Sequence, residues 1–300
     1  MGVRIVFIAL FVVGIWGLNF VFIERALRAF SPLWLTTARF LLAAFPAALF
    51  VPRPRVPIAK LLCYSLSGFV LQFGCLFTGM KVGLSAGLAS MILQMQVFFT
   101  MGLAVVACGE RASHKGIAGA LLAFAGIGLV ALQARDEVSG TGLALVLAAA
   151  LCSATGNVLC KRAGSINALS LVVWSSVIAV PALAALSFVI EGSAPLVAAA
   201  AQMSPPLVLS LAYLGHGSTL LGYSLWVGLL RDYAASAIAP FTLLVPIVGL
   251  LGSVVLLGEP MPPWKIAAAV LVVSGLAMNV LGGWVMSAFR ARMILIRNGH

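Results

Sequence analysis

Two apolar runs joined at Gly109-Glu110 make up Ser85–Leu132, and the same plan returns at Ala235–Leu281 around Gly258-Glu259. Aligning the two glutamates, at an offset of 149 residues, also places Ala86 on Ala235, Gly109 on Gly258 and Gly126 on Gly275. A chain that repeats a segment of this size is built from duplicated units that pack on one another. The copies differ at one polar point, where Gln94 and Gln96 fall on Leu243 and Val245.

Composition fixes the solvent. Apolar residues make up 63% of the 300, charged residues 8%, and the mean hydropathy is +1.16. A water-soluble domain carries roughly 25% charged residues. Apolar stretches of about 20 residues, the length that lets a helix cross a bilayer, recur along the whole chain. This pattern predicts an all-α integral membrane protein. The net charge of +11 would suit nucleic acid, yet no basic patch with interleaved aromatic residues exists. The positive charges sit instead in short loops between apolar runs, where they set orientation in the membrane.

Ten spans are predicted: Val3–Ile23, Leu33–Val51, Leu61–Met80, Ser85–Cys108 and Lys115–Gln133, then Gly140–Cys160, Ala168–Ile190, Leu207–Leu230, Ala234–Leu257 and Trp264–Phe289. The first could be read as a signal peptide, since Arg4 precedes an apolar stretch. Asn19 and Glu24 stand where a small-residue cleavage site would be expected, so a retained helix is predicted. With the N-terminus inside, the cytoplasmic segments hold 12 Lys and Arg and the outer segments 5, with Arg39 left within a span. That bias puts both termini in the cytoplasm. Five spans per half is an odd number, so the halves 1–135 and 136–300 enter the membrane in opposite senses, an arrangement typical of transporters. A weaker echo agrees: Asn19 follows Trp16-Gly17-Leu18 in the first span, and Asn157 follows Ala154-Thr155-Gly156 in the sixth.

These residues carry a family resemblance that covers essentially the whole chain. The sequence resembles the drug/metabolite transporter superfamily in its ten-helix EamA type, with two EamA repeats. The resemblance rests on Trp16-Gly17-Leu18-Asn19-Phe20, Arg39-Phe40, Ala86-Gly87-Leu88-Ala89-Ser90, Leu93–Thr100, Gly109-Glu110-Arg111 and Pro246-Ile247-Val248-Gly249-Leu250. Within it, Leu93–Thr100 and Arg53-Pro54-Arg55-Val56-Pro57 look most like the bacterial exporters of O-acetylserine and cysteine. The resemblance implies two inverted five-helix repeats and alternating access. It also implies a central cavity lined mainly by spans one, three, four, six, eight and nine, with export across the inner membrane.

Polar side chains inside hydrocarbon usually face a bundle interior or a wet cavity, so candidates for substrate contact form a short set. Gln94 and Gln96 sit near mid-depth, but residues two apart on an α-helix diverge by about 200°. Gln94, opposite Pro240 and Pro246, is the favoured one; interhelical bonding is the other reading. Asn19, Trp16 and Asn157 come from the repeated pair of spans, and an amide can serve both the ammonium and the carboxylate of an amino acid. His216, between Gly215 and Gly217, is the intramembrane histidine and the natural group for moving a proton at neutral pH; a neutral, bonded histidine is its structural reading. Tyr223 and Trp226 line the same cavity or pack as core. Arg39 is expected to snorkel to the outer interface or pair with Glu24, with a substrate carboxylate as the alternative partner.

Other chemistries lack their parts. All seven acids fall in predicted loops or at span ends, there is no Walker motif, and no mid-depth Lys/Arg cluster offers a phosphate site. The five cysteines show neither a metal spacing nor a disulfide framework. The expectation is a secondary transporter, not an enzyme, without cofactor or metal. Its partners are a small-molecule substrate and the lipid bilayer, with no nucleic acid, as a monomer or weak homodimer. The alternatives are an exporter or facilitator of another small metabolite or drug, or a membrane protein that is not a transporter, such as a channel or an assembly factor.

Overall fold

A computed structural model describes residues 3–109, 114–133, 139–163, 167–232 and 238–279, and among them every regular element is helical. Helices α1 (Val3–Leu27), α2 (Pro32–Ala44), α3 (Ile58–Lys81) and α4 (Ala86–Cys108) are followed by α5 (His114–Gln133), α6 (Gly140–Ala163) and α7 (Ala168–Ile190). A short α8 (Ala194–Ala201) precedes α9, which runs from Pro205 to Asp232; α10 (Leu244–Leu257) and α11 (Pro263–Asn279) follow. Seven helical stretches are long and apolar enough to cross a membrane, and the bent pair α8–α9 supplies an eighth. Phe241–Leu257 and Pro263–Asn279 are shorter apolar helices. The chain is a multi-pass membrane protein.

Local chemistry sets the helix ends. Ser85 accepts from the Leu88 amide at 3.4 Å at the start of α4, and Asn167 accepts from the Ser170 amide at 3.1 Å at the start of α7. Glu191, just past the end of α7, caps α2 from across the bundle, accepting from Ser31 Oγ at 2.6 Å, Leu33 N at 2.9 Å and Trp34 N at 3.2 Å. Glu259 does the same for α4, accepting from the Ala86 amide at 2.8 Å and from Lys265 Nζ at 3.0 Å. A carboxylate at a helix N-terminus satisfies orphan amides and complements the helix dipole.

The two halves share their irregularities. Gly109 and Gly258, 149 residues apart, both end their helices in the left-handed conformation, with φ of 66° and 71°. A 3-10 segment interrupts α4 at Leu93–Met95, and another precedes α10 at Ala239–Leu243. A π-helical stretch interrupts α3 at Leu66–Leu71 and α9 at Tyr213–Leu221. Each break falls at a corresponding place in its half.

Contacts between corresponding helices run antiparallel. Along α2 with the stretch that follows it, and α7, Ser31 meets Glu191, Thr37 meets Ser187 at 3.2 Å, and Trp174 Nε1 donates to Val51 O at 3.0 Å, so one chain segment ascends as the other descends. Along α5 and α11, Gly119 lies against the Gly275 carbonyl and Gly126 against the Ala268 carbonyl. These glycines let the backbones touch, as small residues do where membrane helices pack. A Cβ at Gly119 would sit 2.5 Å from Gly275 O, closer than atoms can approach, whereas one at Gly128 on the same helix meets nothing within 4 Å.

Several boundaries differ from expectation for physical reasons. α1 runs on to Leu27, which puts Glu24 in its last turn and not in a loop. Regular α2 stops at Ala44, because Pro46 biases the residue before it away from helix; a 3-10 turn at Ala47–Leu49 carries the chain on. The unpredicted α8 meets α9 at a bend of 118°, across the break between Ala201 and Pro205. The hinge acid Glu110, the start of the predicted ninth span at Ala234, and residues 280–300, including Phe289, lie outside the described residues.

Two predictions follow from this packing. Gly119→Val should destabilise by about 1–3 kcal/mol through overpacking, seen as a lower melting midpoint of the purified protein in detergent, while Gly128→Ala should melt like wild type. Glu259→Gln removes the carboxylate partner of Lys265, which is only 3% exposed and keeps just Ser85 Oγ and Pro260 O, and should cost about 3–5 kcal/mol. Adding Lys265→Met should recover part of that loss in the same melting assay.

Candidate functional site

The polar residues of the apolar bundle gather in two places. The first lies where α1, α2 and the π segment of α9 meet. Gly215 makes the approach there: a Cβ would fall 2.5 Å from Leu42 Cβ and 3.1 Å from Arg39 O, so a larger residue would push α9 off α2. Three residues on, Ser218 and Thr219 face back into the junction; Thr219 Oγ1 satisfies itself on Leu214 O at 2.8 Å, five residues earlier, as π spacing allows.

Arg39 occupies the centre of this junction at 2% exposure. Its guanidinium donates from Nε to Thr219 Oγ1 at 3.2 Å, from one terminal nitrogen to Asn19 Oδ1 at 3.2 Å, and from the other to Ser218 Oγ at 3.4 Å. The Phe73 ring lies 4.4 Å from the guanidinium carbon, with Phe40 and Phe77 each at 5.9 Å. The expected snorkelling to the interface, or pairing with Glu24, is therefore corrected. α9 brings hydroxyls within reach of the side chain, and staying inside satisfies three donors that only water could serve at the membrane edge.

Trp16 and Tyr223 form the wall beside it. Trp16 Nε1 donates to Ser218 O at 3.2 Å, and its ring lies 5.4 Å from Tyr223 and 5.3 Å from Trp226. Asn19, Trp16, Tyr223 and Trp226, four residues singled out by sequence, thus share one site. Tyr213 anchors the same segment, donating to Ile15 O at 2.8 Å and stacking on Phe22 at 3.9 Å. His216 belongs to this π segment but is bonded to none of the cluster, and it has no hydrogen bond among the described residues.

The second group lies where α4, α6 and the 3-10 turn before α10 meet. Gln94 is buried and donates to Thr242 O at 3.4 Å, which seats it against the Pro240–Pro246 stretch as expected. Gln96 Nε2 donates to Gln94 Oε1 at 3.4 Å, and Ser153 Oγ donates to Gln96 Oε1. The expected divergence of the two glutamines is corrected. The backbone at Leu93–Met95 is 3-10 and not α, and the long side chains fold towards each other. Asn157 reaches the same helix pair from α6, donating to Thr100 Oγ1 at 3.2 Å from an exposed position.

Sequence reasoning passed over Ser218, Thr219, Ser153 and Thr100 because lone hydroxyls in helices normally bond their own backbone. The signal available was their placement. Ser218-Thr219 follows a Gly-His-Gly stretch, and Ser153 lies four residues before Asn157 on one helix face.

Comparison with known proteins agrees with this architecture. The model of the EamA-like transporter family matches residues 3–132 and again 140–281. A probable amino-acid metabolite efflux pump of Salmonella typhimurium is 42% identical over 283 residues, covering 92% of this chain and 94% of that protein. Its counterpart of the same description in Escherichia coli is 40% identical over 284 residues, with the same coverage. A solved structure, titled only as the crystal structure of a protein, superposes with a TM-score of 0.66 at 18% identity, covering 93% of this chain and 96% of its own. With both copies of the family model spanning nearly all of the described helices, the chain belongs to the EamA-like transporter family.

Proposed function

We propose that this protein is a secondary transporter that exports a small amino-acid-like metabolite, of the O-acetylserine and cysteine type, across the inner membrane by alternating access. The observation that carries the reading is the buried polar junction of Trp16, Asn19, Arg39 and Tyr223, in a chain 42% identical to a probable amino-acid metabolite efflux pump. A polar cluster inside hydrocarbon marks a functional site by default, because it is expensive to keep there.

The architecture proposed is ten spans in two inverted five-helix repeats, 1–135 and 136–300, with both termini cytoplasmic. The antiparallel contacts of α2 with α7 and of α5 with α11 support inversion, since repeats of the same sense would pack corresponding helices in parallel. The substrate-contacting set comprises Trp16, Asn19 and Tyr223 on one side, Gln94, Gln96 and Asn157 on the other, and His216 on the π segment. Both groups are bonded across helices that belong to different halves, so moving one half against the other exchanges their partners. That is the physical requirement for a site that faces each side in turn.

Counterflow in proteoliposomes tests the reading. Saturable exchange of cysteine or O-acetylserine, with no competition from sugars or quaternary amines, is expected; competition from sugars or quaternary amines equal to that from amino acids would contradict it. A proton route through His216 would need hydrogen-bond partners to pass the proton along. The polar cluster supplies none, so the response of flux to an imposed pH gradient should be the same in His216→Gln as in wild type. Loss of gradient-driven flux with preserved counterflow would assign His216 to coupling instead.

A further inference from the structure

Two cationic side chains are buried among the described residues, and their surroundings differ. Lys265 has a carboxylate partner, Glu259, at 3.0 Å. Arg39 has none. Its three bonds go to an amide oxygen and two hydroxyls, and no carboxylate bonds to it among the described residues. Glu191 is spent on the start of α2, and Glu259 on α4 and Lys265.

A guanidinium stays charged at any physiological pH, so it cannot escape burial by losing a proton. Neutral hydrogen bonds and the Phe73 face offset part of the desolvation, and cation–π contact is strongest where water is excluded. They leave the charge itself unneutralised and use three of the five N–H donors. A buried charge is normally paired, and the partner that matches a guanidinium in both geometry and sign is a carboxylate. The junction also contains the complement of the rest of an amino acid. Asn19 Oδ1 has a second lone pair to accept from an ammonium, and the faces of Trp16 and Tyr223 stand beside it.

We propose that Arg39 is the carboxylate subsite, and that it sets the substrate class as small molecules bearing a free carboxylate, excluding their amides, esters and decarboxylated amines. This rests on the transporter reading above and deepens it. The carboxylate takes the unused N–H donors and supplies the missing counter-charge. An amino acid bound there has its carboxylate paired with Arg39 and its ammonium against Asn19 and the aromatic wall. With Arg39 closed off at 2% exposure, α9 has to part from α1 and α2 for the carboxylate to reach it.

The test is counterflow of radiolabelled cysteine, under reducing conditions, by the full-length protein in proteoliposomes. Competitors are O-acetylserine, its amide, its methyl ester, the matching decarboxylated amine and the matching acid without the amino group. Wild type should be inhibited by the acids, with the amide, ester and amine weaker by at least about tenfold, a factor equivalent to 1.4 kcal/mol of binding. Arg39→Gln should abolish the acid-over-amide preference in whatever flux remains, and Arg39→Lys, which keeps the charge without the fork, should keep part of it. Amide and acid competing equally in wild type would overturn the subsite even if Arg39→Gln failed to fold, and so would an intact acid preference in a folded Arg39→Gln. Saturable cysteine flux with either of those results leaves the transporter reading standing and the subsite refuted. If wild type carries no amino acid at all, the transporter reading fails, and melting decides the subsite separately. The free acid should raise the melting midpoint of wild type and leave that of Arg39→Gln unmoved, and no shift in wild type refutes the subsite.

Discussion

Inside hydrocarbon there is no water to accept a donor that the protein leaves unpaired, and the structure of this chain follows from that constraint. Hydroxyls within the helices turn back on their own backbone: Thr36 onto Pro32 O, Thr37 onto Leu33 O, Ser176 onto Val172 O and Ser187 onto Leu183 O, all at 2.7–2.8 Å. Two helix starts are capped by carboxylates from elsewhere in the fold, that of α2 by Glu191 and that of α4 by Glu259. Among the described residues only Ser175 Oγ is a buried side-chain polar atom without a hydrogen bond. Against so complete a pairing, a guanidinium held without an acid is the exception, and a departure of this kind is expected at a functional site.

The same solvent removes the hydrophobic drive between helices, so close packing has to hold them together. Gly119 and Gly126 against α11, and Gly215 against α2, bring backbones within reach of one another. At the Gly215 contact this closeness puts Ser218 and Thr219 on Arg39. The small residues therefore do two things at once, joining the helices and bringing polar side chains from distant parts of the chain into one site.

Much of this was legible in the sequence because it is written in periods and spacings. Apolar runs of bilayer length gave the helices, and the offset of Glu110 to Glu259 paired Gly109 with Gly258, both of which end their helices in the left-handed conformation. Asn19, Trp16 and Tyr223 were legible as polar or amphipathic groups in apolar helices, and they meet. What could not be read was depth and direction. Arg39 has the same sequence signature whether it snorkels or turns inward, and only the partners across the bundle, on a helix 180 residues away, decide which. The π and 3-10 segments were equally hidden, since an apolar run does not distinguish them from α-helix. They are what turned Gln94 and Gln96 towards each other and aimed Ser218 and Thr219 at the guanidinium.

The account depends most on the two halves entering the membrane in opposite senses around the polar junction. Site-specific labelling measures this directly. In a variant with all five native cysteines replaced, Lys115→Cys at the start of α5 and Pro260→Cys before α11 would each be exposed to an impermeant maleimide in intact cells and then after permeabilisation. The account predicts that position 260 labels from outside in intact cells and position 115 only once the membrane is opened. Labelling of both positions from the same side would contradict it.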